Sequence, residues 1–509
     1  MAQAVLYFTT PPRSPTAALA LTQGLELVRA DVVARSHRAR GKSVRLVAAS
    51  LDMGRDVARA AYERGGTPQA LAGEWAERIQ TALKALRVGP DDFVRTCEAR
   101  HQRVVKALFL KLFDQGDIEK TTREVATCPR CEERRMPEGG GQPRCPVCQE
   151  PLERRSEEAY ILRAGEHAKA VKEHLASQDD FIRPPALRDS VLEALAEHGV
   201  ADPSISGPQH PWAIPVPIDP QHSVEGWFDT LVSYLTATGY LADPQLFERC
   251  WPPAIQVVAA EQLMTHAVVW PALLAALGLP PPQRLVVSDA PPPAPAAEPT
   301  AAGDLAGLAE RLGADALRYA LLRARGAGVS EPQALQLRRS DLEGRLAWLV
   351  ERTIEAIDQR RDGVVPRPGS LRAAEQALAK HATELGERMA TGVDDFDFVA
   401  PLDALWDVVD RARDYMRETS IDPRGAQSPG TRQESRALYV LAEVCRLVAH
   451  HAAPFFPDMA AAIHRRLGFD PEGLPVTHRA QWGLLQPETH IRRGDPLLGR
   501  LAVPTDEGH

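Results

Sequence analysis

Three consecutive pieces decide the fold: Val5-Leu-Tyr-Phe-Thr9, a patterned stretch over residues 19–40, and Ser43-Val-Arg-Leu-Val-Ala-Ala49. The outer two are short apolar runs, as expected of strands buried on both faces. Between them apolar residues recur at three- and four-residue intervals, the period of a helix with one face in a core. Strand, helix and strand in this order make a βαβ unit and predict a parallel, Rossmann-like sheet in an α/β fold.

Outward from this unit, residues 68–113 read as mostly helical. Ile214-Pro-Val-Pro-Ile218 and Ile255-Gln-Val-Val-Ala259 read as further strands. Ser288-Asp-Ala-Pro-Pro-Pro-Ala-Pro-Ala-Ala-Glu-Pro-Thr-Ala-Ala302 is a Pro/Ala linker. From about Leu305 onward the pattern is almost wholly helical, broken near Gly363–Gly369 and Asp422–Gly430. Pro496-Leu-Leu-Gly-Arg-Leu501 reads as a short tail that packs back on the body.

A chain of 509 residues is too long for one core, so two to four domains are expected. The net charge of −8 offers nucleic acid no global attraction and leaves only local basic patches to bind it. Lysine supplies 8 of the 60 basic residues, and none lies between Lys172 and Lys380. No apolar run is long enough to cross a membrane, and the N-terminus lacks the basic segment of a signal peptide. A cytoplasmic placement is expected, with no membrane partner.

Cys128-Pro-Arg-Cys131 and Cys145-Pro-Val-Cys148 are two Cys-x-x-Cys pairs. Each pair can present two thiolates from a tight turn. Together they complete the tetrahedral all-sulfur set that suits structural zinc. A closed four-cysteine site keeps no open coordination position, so catalysis is not expected there.

Several segments resemble the methionyl-tRNA synthetases, a class I family. Arg29-Ala-Asp-Val-Val-Ala-Arg-Ser-His-Arg-Ala-Arg-Gly41 looks like the helix after the family's signature loop, and the cysteine knuckle comes at the family's position. Asp180-Phe-Ile-Arg-Pro184, Ser204-Ile-Ser206, Trp212-Ala-Ile-Pro-Val-Pro217 and Trp227-Phe-Asp-Thr-Leu-Val-Ser-Tyr234 follow in family order. So do His266-Ala-Val-Val-Trp-Pro271, Gly313-Ala-Asp-Ala-Leu-Arg-Tyr319, Leu438-Tyr-Val-Leu441 and Ala453-Pro-Phe-Phe-Pro457. The resemblance implies a Rossmann-like catalytic domain in two halves, residues 1–115 and 211–335, the second containing the linker 288–302. It implies a connective insertion at 116–210, with its zinc knuckle at 128–148. A C-terminal all-α, anticodon-binding-like bundle would occupy 336–509.

The same comparison exposes departures. The family's His-Ile-Gly-His tetrad falls on Ala20-Leu-Thr-Gln23, so neither Ala20 nor Gln23 carries charge. The family's Thr-Asp-Glu-His-Gly falls on Ser50-Leu-Asp-Met-Gly54, which puts Asp52 in a changed setting. The lysine-rich Lys-Met-Ser-Lys-Ser loop is replaced by the Pro/Ala linker. Preorganised charge around the transferring group is usually the largest catalytic contribution. These departures therefore predict little adenylation, and they make ATP a doubtful cofactor.

The resemblance also implies an amino-acid pocket lined by Trp227, Tyr234, His266 and Trp270, with Ser14 and Gln262 making it more polar than is usual in the family. Packing of these aromatics as plain core is the alternative. The anticodon-reading positions fall on Trp348 and Arg352, and a base-stacking position falls near Asp422. His37, His101 and His167 read as solvated helix faces. Asp394, Asp395 and Asp397 read as an exposed acidic cluster.

The leading expectation is a pseudo-synthetase that binds an amino acid, an adenylate-like ligand or tRNA without efficient aminoacylation. Two alternatives stand beside it. One is an ATP-dependent methionine–tRNA ligase, or a related amino-acid-activating ligase, with an altered mechanism. The other is a non-catalytic partner of another protein.

Overall fold

A computed structural model describes residues 4–13, 21–130, 134–135, 144–145, 148–288, 305–323, 329–421 and 431–499. In chain order the described strands are β1 (Leu6–Thr9), β2 (Val44–Ser50), β3 (Asp92–Arg95), β4 (Ile118–Thr127), β5 (Arg134–Arg135), β6 (Glu153–Leu162), β7 (Ile182–Arg183), β8 (Ser206–Pro208), β9 (Pro215–Val216), β10 (Asp219–Val224), β11 (Ile255–Ala259) and β12 (Leu285–Ser288).

Six of them form one sheet in the order β3-β2-β1-β11-β12-β7, and every neighbouring pair is parallel. The helix Leu21–Ala39 connects β1 to β2, as the opening segment predicts. Successive strand residues enter opposite cores because the side-chain period is two. Tyr7, Val47 and Val258 enter one core; Phe8, Leu46 and Val257 enter the other. Both faces are thus apolar, which is why these strands read as continuous hydrophobic runs.

Residues 68–113 are not uniformly helical. The helix Pro68–Ala85 starts at Thr67, whose hydroxyl accepts from the Ala70 N–H at 3.3 Å. Gly89-Pro90 then breaks the pattern, and Asp92–Arg95 forms the edge strand β3 before the helix Ala99–Gln115. Four residues are too few to show a period, so only pairing with β2 reveals this strand.

The insertion is a long antiparallel ribbon. β4 and β6 pair over ten residues each, with β5 alongside. A smaller sheet, β8-β10-β9, leads back to the main one. Beyond β12 the described elements are helical, from Leu305–Leu312 to Pro457–Arg466. The helix Leu305–Leu312 sits close on Leu21–Ala39 because residue 24 is glycine. A Cβ there would lie 2.9 Å from Leu305 Cδ2. The tail side chains of Leu497 and Leu498 pack against the large core, as expected of a tail that folds back.

Arg318 closes the seam between sheet and helices. Its guanidinium is fully buried, pairs with buried Asp31 at 2.8 Å and donates to the carbonyls of Leu86, Pro454 and Phe455. In the acidic cluster Asp395 and Asp397 are exposed, as expected, and Asp394 departs. Asp394 is half-buried and bonds both Arg40 guanidinium nitrogens, at 2.6 and 2.7 Å. It pins the end of the helix Ala373–Asp394 to the helix after β1. No described helix is long and apolar enough to cross a membrane.

Candidate active site

The strand order reverses between β1 and β11. β2 and β3 lie to one side, β12 and β7 to the other. In open parallel sheets such a reversal opens a crevice at the strands' C-terminal ends, where ligands bind. β1 ends at Thr9, and the chain continues along the top of the sheet to Arg13, which bridges Ser50 at the end of β2. The Arg13 carbonyl accepts from Leu51 N–H at 2.8 Å and from the Trp75 indole at 3.1 Å. The Arg13 side chain is 7% exposed and pairs through Nη2 with Glu26, 3% exposed, at 2.5 Å. Glu26 lies one turn beyond Gln23 on the helix after β1. Arg13 Nε and Gln23 Oε1 are buried and have no hydrogen-bond partner among the described residues. Ala20 and Ser14 lie outside the described residues.

On the other face of the sheet, Tyr234, His266 and Trp270 come together, all buried. Their rings are 5.8 to 5.9 Å apart around Tyr234. The Gln262 carbonyl can only accept, so His266 donates to it from Nδ1 at 3.0 Å. Burial pushes His266 down to about 4, so the ring is neutral. Its Nε2 therefore accepts from the Tyr234 hydroxyl at 2.9 Å. Burial raises Tyr234 well above the usual phenol range; the Arg13 charge opposes this and the Glu26 charge adds to it. The phenol is thus an electrostatic neighbour of the Arg13–Glu26 pair.

The other two pocket residues sit differently. Gln262 is half-buried, and its side-chain oxygen turns back to accept from the Ala259 N–H at 3.3 Å. Trp227 donates to the Ser204 carbonyl at 2.7 Å and lines a separate cleft of about 1210 Å³. Met53, Arg55, Tyr62 and Arg123 also face this cleft, between the helix Arg55–Glu63 and the insertion.

Asp52 is fully buried at the end of β2. It bonds Ser50 at 3.0 Å, Arg95 at 3.2 Å and the Cys97 thiol at 3.4 Å. Burial raises its carboxyl, and Arg95 opposes that shift. Burial, followed by the Asp52 charge, pushes the Cys97 thiol up to about 12. His101 is a correction: it is fully buried, not on a solvated face. Its ring bonds Asp229 at 2.6 Å and Thr236 at 2.9 Å, which ties the helix Ala99–Gln115 to the helix Gly226–Thr236. His37 is largely covered too, stacked on Phe8.

Far from the crevice, Trp348 and Arg352 lie on the helix Trp348–Arg361. Arg413 sits 5.1 Å over the Trp348 ring, and Arg352 bonds Glu355 at 2.6 Å. Asp422 lies outside the described residues.

In the insertion, Cys128, Cys145 and Cys148 bring their sulfurs within 4.8 Å of one another, with Cys128 and Cys148 at 3.4 Å. Zinc–sulfur bonds of ~2.3 Å set tetrahedral sulfur–sulfur edges of roughly 3.8 Å, which these three positions suit. Cys131 lies outside the described residues.

A model of the class I tRNA synthetases of the M group matches residues 7–151 and 127–352. A methionine–tRNA ligase of Caldanaerobacter subterraneus subsp. tengcongensis is 31% identical over 98% of this chain and 79% of its own length. One of Thermosynechococcus vestitus is 29% identical over 94% of each chain. The structure of Mycobacterium tuberculosis methionyl-tRNA synthetase in complex with methionyl-adenylate superposes with a TM-score of 0.87 at 27% identity, over 98% of this chain and 100% of that one. These matches overturn the expectation of a pseudo-synthetase. Relatives that align along almost the whole chain, at this identity, are named as ligases.

Proposed function

This chain belongs to the class I tRNA synthetases of the methionyl group, and we propose on that premise that it is an ATP-dependent methionine–tRNA ligase with an altered activation centre. In the first step a carboxylate oxygen of the amino acid bonds to the α-phosphorus of ATP. The bond from that phosphorus to the bridging oxygen breaks, and pyrophosphate leaves with the electron pair. A ribose hydroxyl of tRNA then bonds to the carbonyl carbon, the bond from that carbon to the phosphate oxygen breaks, AMP leaves with the electron pair, and the hydroxyl proton is released.

The observation that carries this reading is the buried Tyr234–His266–Trp270 group beside the crevice, in a chain alike along its length to methionine–tRNA ligases. An aromatic wall suits a thioether, because sulfur packs favourably at ring edges. His266 must be neutral there, since an imidazolium would oppose burial of an apolar side chain. Its Gln262 bond selects the tautomer that leaves Nε2 to hold the Tyr234 hydroxyl. We read Ala20, Gln23 and the lysine-free stretch 289–302 as a changed set of phosphate contacts. Cys128, Cys131, Cys145 and Cys148 would hold a structural zinc ion, which stiffens the insertion and takes no part in bond making.

The test is ATP–pyrophosphate exchange with methionine beside each other standard amino acid. Methionine-dependent exchange is expected; no exchange with any amino acid would overturn the reading. A second reading, transfer to an acceptor other than methionine tRNA, draws on Trp348 lying under Arg413 and on Arg352 held by Glu355. Exchange without charging of total tRNA would favour it.

A further inference from the structure

We propose that Arg13 supplies the cation of the activation centre, with Glu26 as its holder; this rests on the ligase reading above. Negative charge gathers on the non-bridging α-phosphate oxygens as the carboxylate oxygen bonds to phosphorus and pyrophosphate departs. Donors fixed in advance around those oxygens lower the barrier most. This chain has Ala20 and Gln23 where the family resemblance places the tetrad, and no lysine between 172 and 380. At the end of β1 the cation present is an arginine, Arg13.

Arg13 meets the geometric requirements. It follows β1 directly at the topological reversal, it is bridged to the end of β2, and its backbone is held by Leu51 and Trp75. Only the Nη2 edge is engaged by Glu26, while Nε is buried without a partner. A buried donor left unmade is costly. Among the described residues an unpartnered buried Nε also occurs at Arg183, Arg388 and Arg413, none of which lies at the end of β1, whereas the two fully buried arginines complete all three nitrogens. Arg318 and Arg446 each use Nε, Nη1 and Nη2. Arg29, one turn beyond Glu26, is engaged with Ser288 Oγ at 3.3 Å and lies over the Phe398 ring. Glu26 orients the Arg13 guanidinium, and the edge it leaves unused donates to the α-phosphate oxygens as they become charged.

The experiment measures pyrophosphate exchange, varying ATP and methionine separately, for the wild type and for Arg13→Met, Arg13→Lys and Glu26→Gln, each checked for folding by thermal melting. Loss of one such donor is expected to lower the maximal exchange rate of Arg13→Met by ~10²–10³, with the KM for methionine unchanged. Arg13→Lys, which keeps a cation against Glu26, recovers part of that loss. Glu26→Gln keeps the guanidinium but replaces its charged holder with a neutral acceptor, so its maximal exchange rate falls by less than that of Arg13→Met. It carries the test if Arg13→Met does not fold. Two results overturn the inference while leaving the ligase reading standing. One is an active wild type with Arg13→Met equally fast. The other is Glu26→Gln exchanging as fast as the wild type. A wild type inactive with every amino acid overturns the ligase reading itself, and this inference with it.

Discussion

Two buried arginine–carboxylate pairs flank the same helix, Leu21–Ala39, and they differ in completeness. At the seam with the helical region, Arg318 faces Asp31 and spends every guanidinium nitrogen on a carbonyl or carboxylate. At the crevice, Arg13 faces Glu26 and leaves Nε unspent. Isolated charges are expensive to bury, and full pairing with hydrogen bonds is what offsets the cost. A completed pair is therefore read as structure. An incomplete one, at a strand end where ligands bind, is read as a site kept ready for something else to complete.

The largest effect expected is at the seam. Arg318→Met strands Asp31 without its partner, and breaking such a pair typically costs ~3–5 kcal/mol. Denaturant unfolding should show a loss of that order. If Arg13→Met costs as much stability as Arg318→Met, the contrast between the two pairs collapses.

Metal removal comes next and tests a region neither pair touches. Cys145→Ser deletes one of three clustered thiols. Metal analysis should show zinc lost from the variant, and chelation of the wild type should unfold residues 118–162 by hydrogen exchange while leaving the β1–β2 amides protected. Zinc content unchanged in Cys145→Ser would remove the metal site.

The pH dependence is smaller and asks how much charge the buried cores tolerate. Burial holds His266 and His464 down to about 4 from an ordinary 6.5, and partly buried His450 and His451 to about 3 and about 4. A histidine whose folded value is depressed stays neutral in the fold but takes a proton when unfolded. Stability from these groups is thus complete above pH 6.5 and declines as pH falls toward 4. Melting temperature should be flat above 6.5 and drop below it. His464→Gln, which keeps a donor for the Arg446 carbonyl, should lessen the slope.

The smallest effect is at the far end of the molecule. Arg413→Ala uncovers the Trp348 ring, and an exposed cation–π contact is worth only ~0.5–1 kcal/mol. A change in melting well beyond that would mean that Arg413 does structural work like Arg318.

Sequence and structure agree unevenly across these regions. The opening βαβ unit, the cysteine pairs and the helical second half were legible because periodicity and spacing are local properties. Tyr234, His266 and Trp270 were named through family likeness, and the fold gathers them at one point. Gln262 and Trp227 were named with them, yet Gln262 turns back on its own turn and Trp227 faces a different cleft. β3 was missed because four residues carry no period. His101 was misread because its neighbours are basic; its partner Asp229 is 128 residues away.

By itself, the sequence determined the alternation of elements, the metal-type knuckle and the absence of lysine from the region where phosphate chemistry is expected. Those follow from residue type and near-neighbour spacing. Only the tertiary structure decided which charges are buried, which are completely paired and which keep a donor in reserve. Nothing in the local spelling separates Arg13 from the other 51 arginines. The combination of burial, an unpartnered Nε and a place at the end of β1 does, because the cost of an unpaired polar group depends on what the rest of the chain packs around it.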